Sequence, residues 1–248
     1  MNIFRCNLLL SLSVCLIEEY YFFDKGGILV DGFICVFCNR RKRREEAYIS
    51  EKYLGICDGC NKDLPYIPKD VVFAGNEDLS SLFSVFEYTG TVRRTVRRYK
   101  FNGQQRYADI FAEVMYEHFK EHRLCNDYDM VTMVPLSRKR FGGRGYNQAE
   151  ILAEKLADRL GMEFKNNCVF KIRENKIQSL TRSIIERREN VRGVYLADGA
   201  KIKGRNILLI DDVYTTGSTM KECARELKRK GAENVLGVTL AKTKNRHV

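Results

Sequence analysis

The chain has 248 residues, 44% of them hydrophobic, which suffices for one α/β domain of ordinary size and a small module beside it. Its 43 Lys and Arg against 32 Asp and Glu give a formal charge of +11, directing attention to phosphate-bearing partners, polymers or metabolites alike. The absence of low-complexity tracts and internal repeats excludes a solenoid and a linker-like chain.

Residues 1–30 form a lead-in. Leu8 to Ile17 make an apolar run behind a single Arg5, with no basic cluster before it and no small-x-small site after it. The run is too short to span a bilayer, and Glu18 and Glu19 follow at once. The expectation is an amphipathic helix or surface arm on a cytoplasmic, non-transmembrane protein.

Residues 31–68 carry four of the nine cysteines as Cys35-x2-Cys38 and Cys57-x2-Cys60, eighteen residues apart. That spacing falls in the window for a tetrahedral structural zinc site. A segment this small cannot fold on apolar burial alone, and a metal would supply the missing stability. Two disulfides or a redox pair are the alternatives. Disulfides suit a cytosolic chain poorly, and a redox CxxC is rarely doubled. Cys6, Cys15, Cys125, Cys168 and Cys223 are scattered and read as small buried hydrophobes.

The pattern turns to mixed α/β after "LPYIP", so the larger domain is expected over residues 70–248. Val71 to Tyr88 read as strands. In "TVRRTVRRYKFNGQQRY", Val92, Val96 and Tyr99 make a narrow apolar stripe at helical spacing. Around the stripe, Glu87 and Asp109 bracket six basic residues and no acid. Arg97, Arg98 and Lys100 are taken as phosphate contacts, since a solvated helix face normally mixes signs. Met130 to Val134 read as a strand and Ala149 to Leu160 as a helix. Between them lie Ser137, Arg138, Lys139, Arg140 and Arg144, among glycines, with Phe141 and Tyr146. Glycine lets backbone approach a ligand, arginine forks grip phosphate, and interleaved aromatics suit stacked bases. Farther on, "NKIQSLTRSIIERRENVRGVY" adds Arg182, Arg187, Arg188 and Arg192.

The stretch "RNILLIDDVYTTGSTM" has the strongest chemistry. Ile207 to Ile210 read as a strand buried on both faces, Thr219 to Lys230 as a helix stopped at Gly231, and "NVLGVTLA" as the next strand. The ligand crevice of such a βαβ unit opens at the carboxyl end of its first strand. Thr215, Thr216, Gly217, Ser218 and Thr219 offer hydroxyls and backbone N–H groups to an anion, most often phosphate. Asp211 and Asp212 would repel a phosphate and suit hydroxyls or a metal instead. A pentose 5-phosphate satisfies both halves. A hydrolase with a Walker B acid would need G-x-x-x-x-G-K-[ST], a dinucleotide site would need G-x-G-x-x-G, and neither motif is present. A structural turn has no need of two acids followed by so many hydroxyls.

"ILLIDDVYTTGST" closely resembles the phosphoribosyl-pyrophosphate (PRPP) signature of type I phosphoribosyltransferases. The resemblance implies a doubly wound parallel sheet, Asp211 and Asp212 on the ribose hydroxyls and as the candidate catalytic acids, and Thr215 to Thr219 on the 5′-phosphate. The double CxxC module, "YKFNG", "VPLSRKRFGGRGYNQAE", "IQSLTRSIIERREN" and "DDVYTTGST" are similar, in this order, to the ComF/ComFC competence proteins, over Cys35 to Lys242. That family implies a zinc ribbon ahead of a phosphoribosyltransferase-like domain. It also implies a role with single-stranded DNA at the cytoplasmic face of the DNA-uptake machinery. Ser137 and Arg138 would then lie in a loop binding PRPP with magnesium. Arg97, Arg98, Lys100, Arg140, Arg144 and Arg182 would meet nucleic acid or pyrophosphate, and Gln178 to Asn190 would form the hood. The first thirty residues depart from the family pattern. Two functions stay open: a module that binds PRPP and DNA without transfer, and an active transferase acting on an unknown acceptor base with no nucleic-acid role.

Overall fold

A computed structural model describes residues 20–23, 29–48, 55–101, 106–120, 122, 126–136, 142, 146–173 and 192–244. The chain divides into two compact units, Met1–Asp63 and Leu64–Val248.

In the first unit, β1 (Tyr20–Phe23), β2 (Leu29–Ile34) and β3 (Arg41–Arg43) form an antiparallel sheet. A second ribbon pairs β4 (Ala47–Tyr48) with β5 (Ile56–Cys57), and α1 (Asp58–Asp63) follows. Strand β1 lies in the lead-in, where an arm was expected; the helix anticipated over Leu8 to Ile17 lies outside the described residues. Among the described residues of this unit, Phe33, Val36, Phe37 and Ile56 are buried together with Cys35 and Cys57.

The second unit is built on a six-stranded sheet in the order β6 (Phe73–Ala74), β7 (Ser81–Glu87), β13 (Asn234–Lys242), β12 (Asn206–Tyr214), β8 (Met130–Met133), β9 (Glu163–Phe164). All neighbours run parallel except the edge strand β6. The unit begins at Leu64 because Tyr66 bridges Phe86 and the Ile67 N–H donates to the Val85 carbonyl.

Strand β8 leads through α4 (Gln148–Leu160) to β9 on one side, while β12 leads through α6 (Ser218–Arg229) to β13 on the other. Right-handed crossovers in opposite directions put the two helices on opposite faces and open a crevice between the carboxyl ends of β8 and β12. Helix α3 (Arg106–Phe119) joins α4 on its face. The β10 (Val169–Lys171) and β11 (Tyr195–Ala197) ribbon packs with α6 on the other, ahead of the short α5 (Gly199–Ile202). Close packing of α6 depends on Gly237, where a Cβ would come within 2.4 Å of Met220 Sδ.

The expected stripe of Val92, Val96 and Tyr99 is buried along α2 (Gly90–Phe101), and Cys168 and Cys223 are buried as expected. Asn147 caps α4 by accepting from the Ala149 N–H, and Gly161 ends it in the left-handed region. Strand β12 is longer than its apolar run, because Val213 and Tyr214 still pair with Ala241 and Lys242 of β13. Ile207 to Ile210 are fully buried, each worth roughly 1.5–3 kcal/mol, and this anchorage carries both acids to a set position at the strand's end.

Candidate functional site

The four cysteines of the first unit converge. Their sulfur atoms all lie within 4.8 Å of one another, and all four are free thiols. Cys35 and Cys38 flank the turn after β2, where Asn39 adopts φ 58° and its N–H donates to the Cys35 carbonyl. Cys57 ends β5 and donates its N–H to Cys35 Sγ, and Cys60 lies in α1. Cys38 Sγ and Cys57 Sγ are 4.0 Å apart, too far for a disulfide and near the roughly 3.8 Å edge of a tetrahedron with 2.3 Å metal–sulfur bonds. Burial and the charge of Cys35 push the Cys60 thiol upward, so four thiolates here require a cation between them. The donor set fits a structural metal such as zinc.

In the second unit, Asp211 and Asp212 occupy the carboxyl end of β12, and successive strand residues point to opposite faces. Asp211 turns toward α6: after burial, its charge is the largest influence raising the Cys223 thiol there. Its Oδ1 also accepts from the Asp212 N–H at 2.8 Å. Asp212 turns toward α2, where Lys100 Nζ lies 2.8 Å from its Oδ1. Burial alone would lower the Lys100 pKa, but the charge and hydrogen bond of Asp212, with the charge of Asp211, raise it, and the ammonium is retained.

Residues 215–217 form the loop, and Ser218 and Thr219 open α6. Gly217 adopts φ 73°, with the Tyr214 ring folded over it; a Cβ there would fall 2.0 Å from Tyr214 Oη. The Thr216 and Ser218 hydroxyl oxygens are 3.0 Å apart, and the Lys221 N–H is bonded to the Gly217 carbonyl. N–H groups in the first turn of a helix lack intrahelical partners, so this corner suits an anion. Thr243, beyond β13, secures the loop by donating its N–H to the Tyr214 carbonyl and its hydroxyl to the Thr215 carbonyl.

Beside the acids, Tyr88, Arg93, Arg97, Lys100, Phe101 and Thr243 line a cleft of about 470 Å³. None of these residues is acidic, and Phe101 is 67% exposed. Arg97 and Lys100 thus share one wall, whereas Arg98 donates to Thr95 within its own helix. Ser137, Arg138, Arg140, Arg144 and Arg182 lie outside the described residues, as does the hood segment Gln178 to Asn190. Sequence reasoning placed Arg93 in the basic run but missed Thr243 and the covering role of Tyr214. It also missed that Tyr146 and Gln148, at the far end of the basic loop, donate to the carbonyls of Tyr99 and Lys100. No local signal announces such contacts.

A parallel sheet with paired acids and a hydroxyl loop at a helix N-terminus defines a type I phosphoribosyltransferase-like domain, and the family model for the phosphoribosyl transferase domain matches residues 147–247. The chain is 31% identical to competence protein ComFC of Streptococcus pneumoniae, over 64% of this chain and 67% of that one. It is 25% identical to competence protein F of Haemophilus influenzae, over 82% and 94% of the two chains. It is 26% identical to the DNA utilization protein YhgH of Salmonella typhi, over 85% and 90%. The chain belongs to the ComF/ComFC family of competence proteins. Among the described residues, no helix is long and apolar enough to cross a membrane.

Proposed function

We propose that this protein binds PRPP with magnesium at the end of β12 and handles single-stranded DNA during uptake, from the cytoplasmic side, with zinc on its four clustered cysteines. One observation carries the PRPP reading: the acids at the end of β12 stand directly beside the loop that Gly217 turns into α6. The loop hydroxyls and first-turn N–H groups, Thr215 to Thr219, receive the 5-phosphate. Asp211 and Asp212 accept from the ribose hydroxyls, with Lys100 keeping Asp212 charged and oriented. Ser137 and Arg138 belong to the loop that meets the pyrophosphate, and magnesium arriving with PRPP offsets part of the ligand's charge.

The DNA reading is supported by the names of the relatives, which speak of competence and DNA utilization. The cleft also joins cations to an exposed aromatic ring, the combination that grips phosphates and stacks unpaired bases. In this reading Arg140, Arg144 and Arg182 also serve nucleic acid or pyrophosphate.

The test is thermal denaturation with and without PRPP and magnesium. PRPP should raise the midpoint of the native chain, and Asp211→Asn/Asp212→Asn should fold yet lose that rise. An equal rise in both proteins would put the ligand elsewhere. Pyrophosphate release on adding a nucleobase would establish transfer, and its absence would leave the protein a binding module.

A further inference from the structure

The β10–β11 ribbon is apolar on both of its faces. Val169, Tyr195 and Ala197 turn inward and are buried in one core with Cys223, Ala224 and Leu227 of α6. Phe170 and Leu196, direct cross-strand partners, turn the other way and stand 43% and 40% exposed. Ile172, 52% exposed, shares their face at the next alternate position, and its N–H still donates to the Val194 carbonyl at 2.9 Å. Among the described residues, β10 and β11 have only each other as strand neighbours, so each keeps one outer edge. An uncovered apolar face beside an open strand edge suits an extended chain, which the edge can hydrogen-bond and the face can grip by alternate side chains.

The charges around that face define the chain it takes. The two strands and their ends, residues 167–173 and 192–198, carry Lys171, Arg173 and Arg192, the last two exposed. Their single acid, Asp198, caps α5 and pairs with Lys201 at 3.2 Å. Glu222, which holds the Gly193 N–H, is buried and paired with Arg225. A second copy docking about a two-fold axis would bring these cations face to face with their symmetry mates. Three half-exposed side chains also fall far short of the roughly 800 Å² that each partner commonly buries in a stable protein interface. Ile172 and Leu196 are aliphatic and cannot stack nucleobases, and lipid headgroups cannot continue a strand ladder. We infer that the β10–β11 ribbon is a docking site for an acidic peptide of a partner protein, bound as an extended strand. Large apolar side chains at alternate positions of that strand meet Phe170, Ile172 and Leu196. Its carboxylates lie at the Ile172 end of the ribbon, where Arg173 and Arg192 receive them through charge-assisted hydrogen bonds.

A random heptapeptide display library, panned on the full chain and counter-panned on Phe170→Ser/Leu196→Ser, tests this. Enriched sequences should place large apolar residues at alternate positions, with Asp or Glu gathered at one end. The fluorescein-labelled consensus peptide should bind the wild-type chain in an anisotropy titration. Its affinity should weaken on the order of tenfold in Phe170→Ser/Leu196→Ser, and severalfold in Arg173→Glu with a flatter dependence on salt. Thermal melting checks the fold of each variant, and Ile172→Ser/Arg173→Glu carries the comparison if the double serine variant does not fold. No enrichment over the counter-selection, a consensus without acids, or equal affinity in wild type and variants would overturn the inference. So would displacement of the peptide by single-stranded DNA or by phosphatidylglycerol vesicles, or a wild-type dimer that Phe170→Ser/Leu196→Ser dissociates, since each names another occupant.

Discussion

The phenol of Tyr99 donates to the carbonyl oxygen of Gln148 at 2.7 Å and so joins the last turn of α2 to the first turn of α4. Burial, and after it the charge of Asp212, push the phenol's pKa up, so it stays a donor at every working pH. The bond sets where α2 ends, and the next residue, Lys100, thereby meets Asp212. A buried tyrosine that reads as plain core thus positions a charge at the site.

The loop rests on Gly217. Gly217→Ala puts a methyl group into the Tyr214 ring and adds the penalty of a left-handed alanine, about 1–2 kcal/mol. The variant should lose the stabilisation given by PRPP while its far-ultraviolet dichroism stays native. Adding Tyr214→Ala relieves the collision but not the strain, so it should recover part of the ligand-induced shift. Full PRPP stabilisation in Gly217→Ala alone would contradict this account of the loop.

Metal analysis should find one zinc per chain, tightly held. Cys57→Ser removes one ligand and should unfold the segment around the four cysteines, because a segment this short depends on the metal for its stability. The second unit has its own core and should keep its cooperative melting transition. Absence of metal, with all four clustered thiols titrating freely, would refute the site.

Single-stranded DNA should bind with an affinity that falls steeply with salt. Arg93→Ala/Arg97→Ala should flatten the logarithmic salt slope by about 0.7 per lost phosphate contact, roughly 1.4 in all. Phe101→Ala should weaken binding with the slope unchanged, since stacking releases no counterions. Fluorescence anisotropy across a salt series separates the two effects. A parental slope in the double variant would remove the cleft from the DNA path.

Glu222 Oε1 accepts from the Gly193 N–H at 2.7 Å and also pairs with Arg225, anchoring the chain where it returns toward β11. Burial would raise this carboxyl, but the Arg225 hydrogen bond and the Gly193 N–H outweigh it and hold its pKa below the ordinary 4.5. A depressed folded value means that the contribution is complete above about pH 4.5 and is lost as pH falls through the folded value. Protection of the Gly193 amide from hydrogen exchange should therefore hold from pH 7 to 5 and drop below 4.5. In Glu222→Gln that acid step should vanish.

Features whose partners are chain neighbours were legible in the amino-acid order. Two CxxC pairs at zinc-site spacing, an apolar strand running into Asp211 and Asp212, and a glycine among hydroxyls before an amphipathic helix all express local chemistry, and the matching folded features stand where the spacing put them. Tertiary structure alone decided the rest. Strand β12 outruns its apolar residues because β13 continues to pair with it, a partner that no local pattern names. Arg97 and Lys100 are near neighbours on one basic helix, yet one stands exposed in a cleft and the other neutralises Asp212. That division follows from where Tyr99 and Gln148 lock α2 against α4, a contact between residues distant in sequence. A charge's role depends on what the fold brings within about 4 Å of it, and at that range the opposite carboxylate outweighs the shared character of the helix.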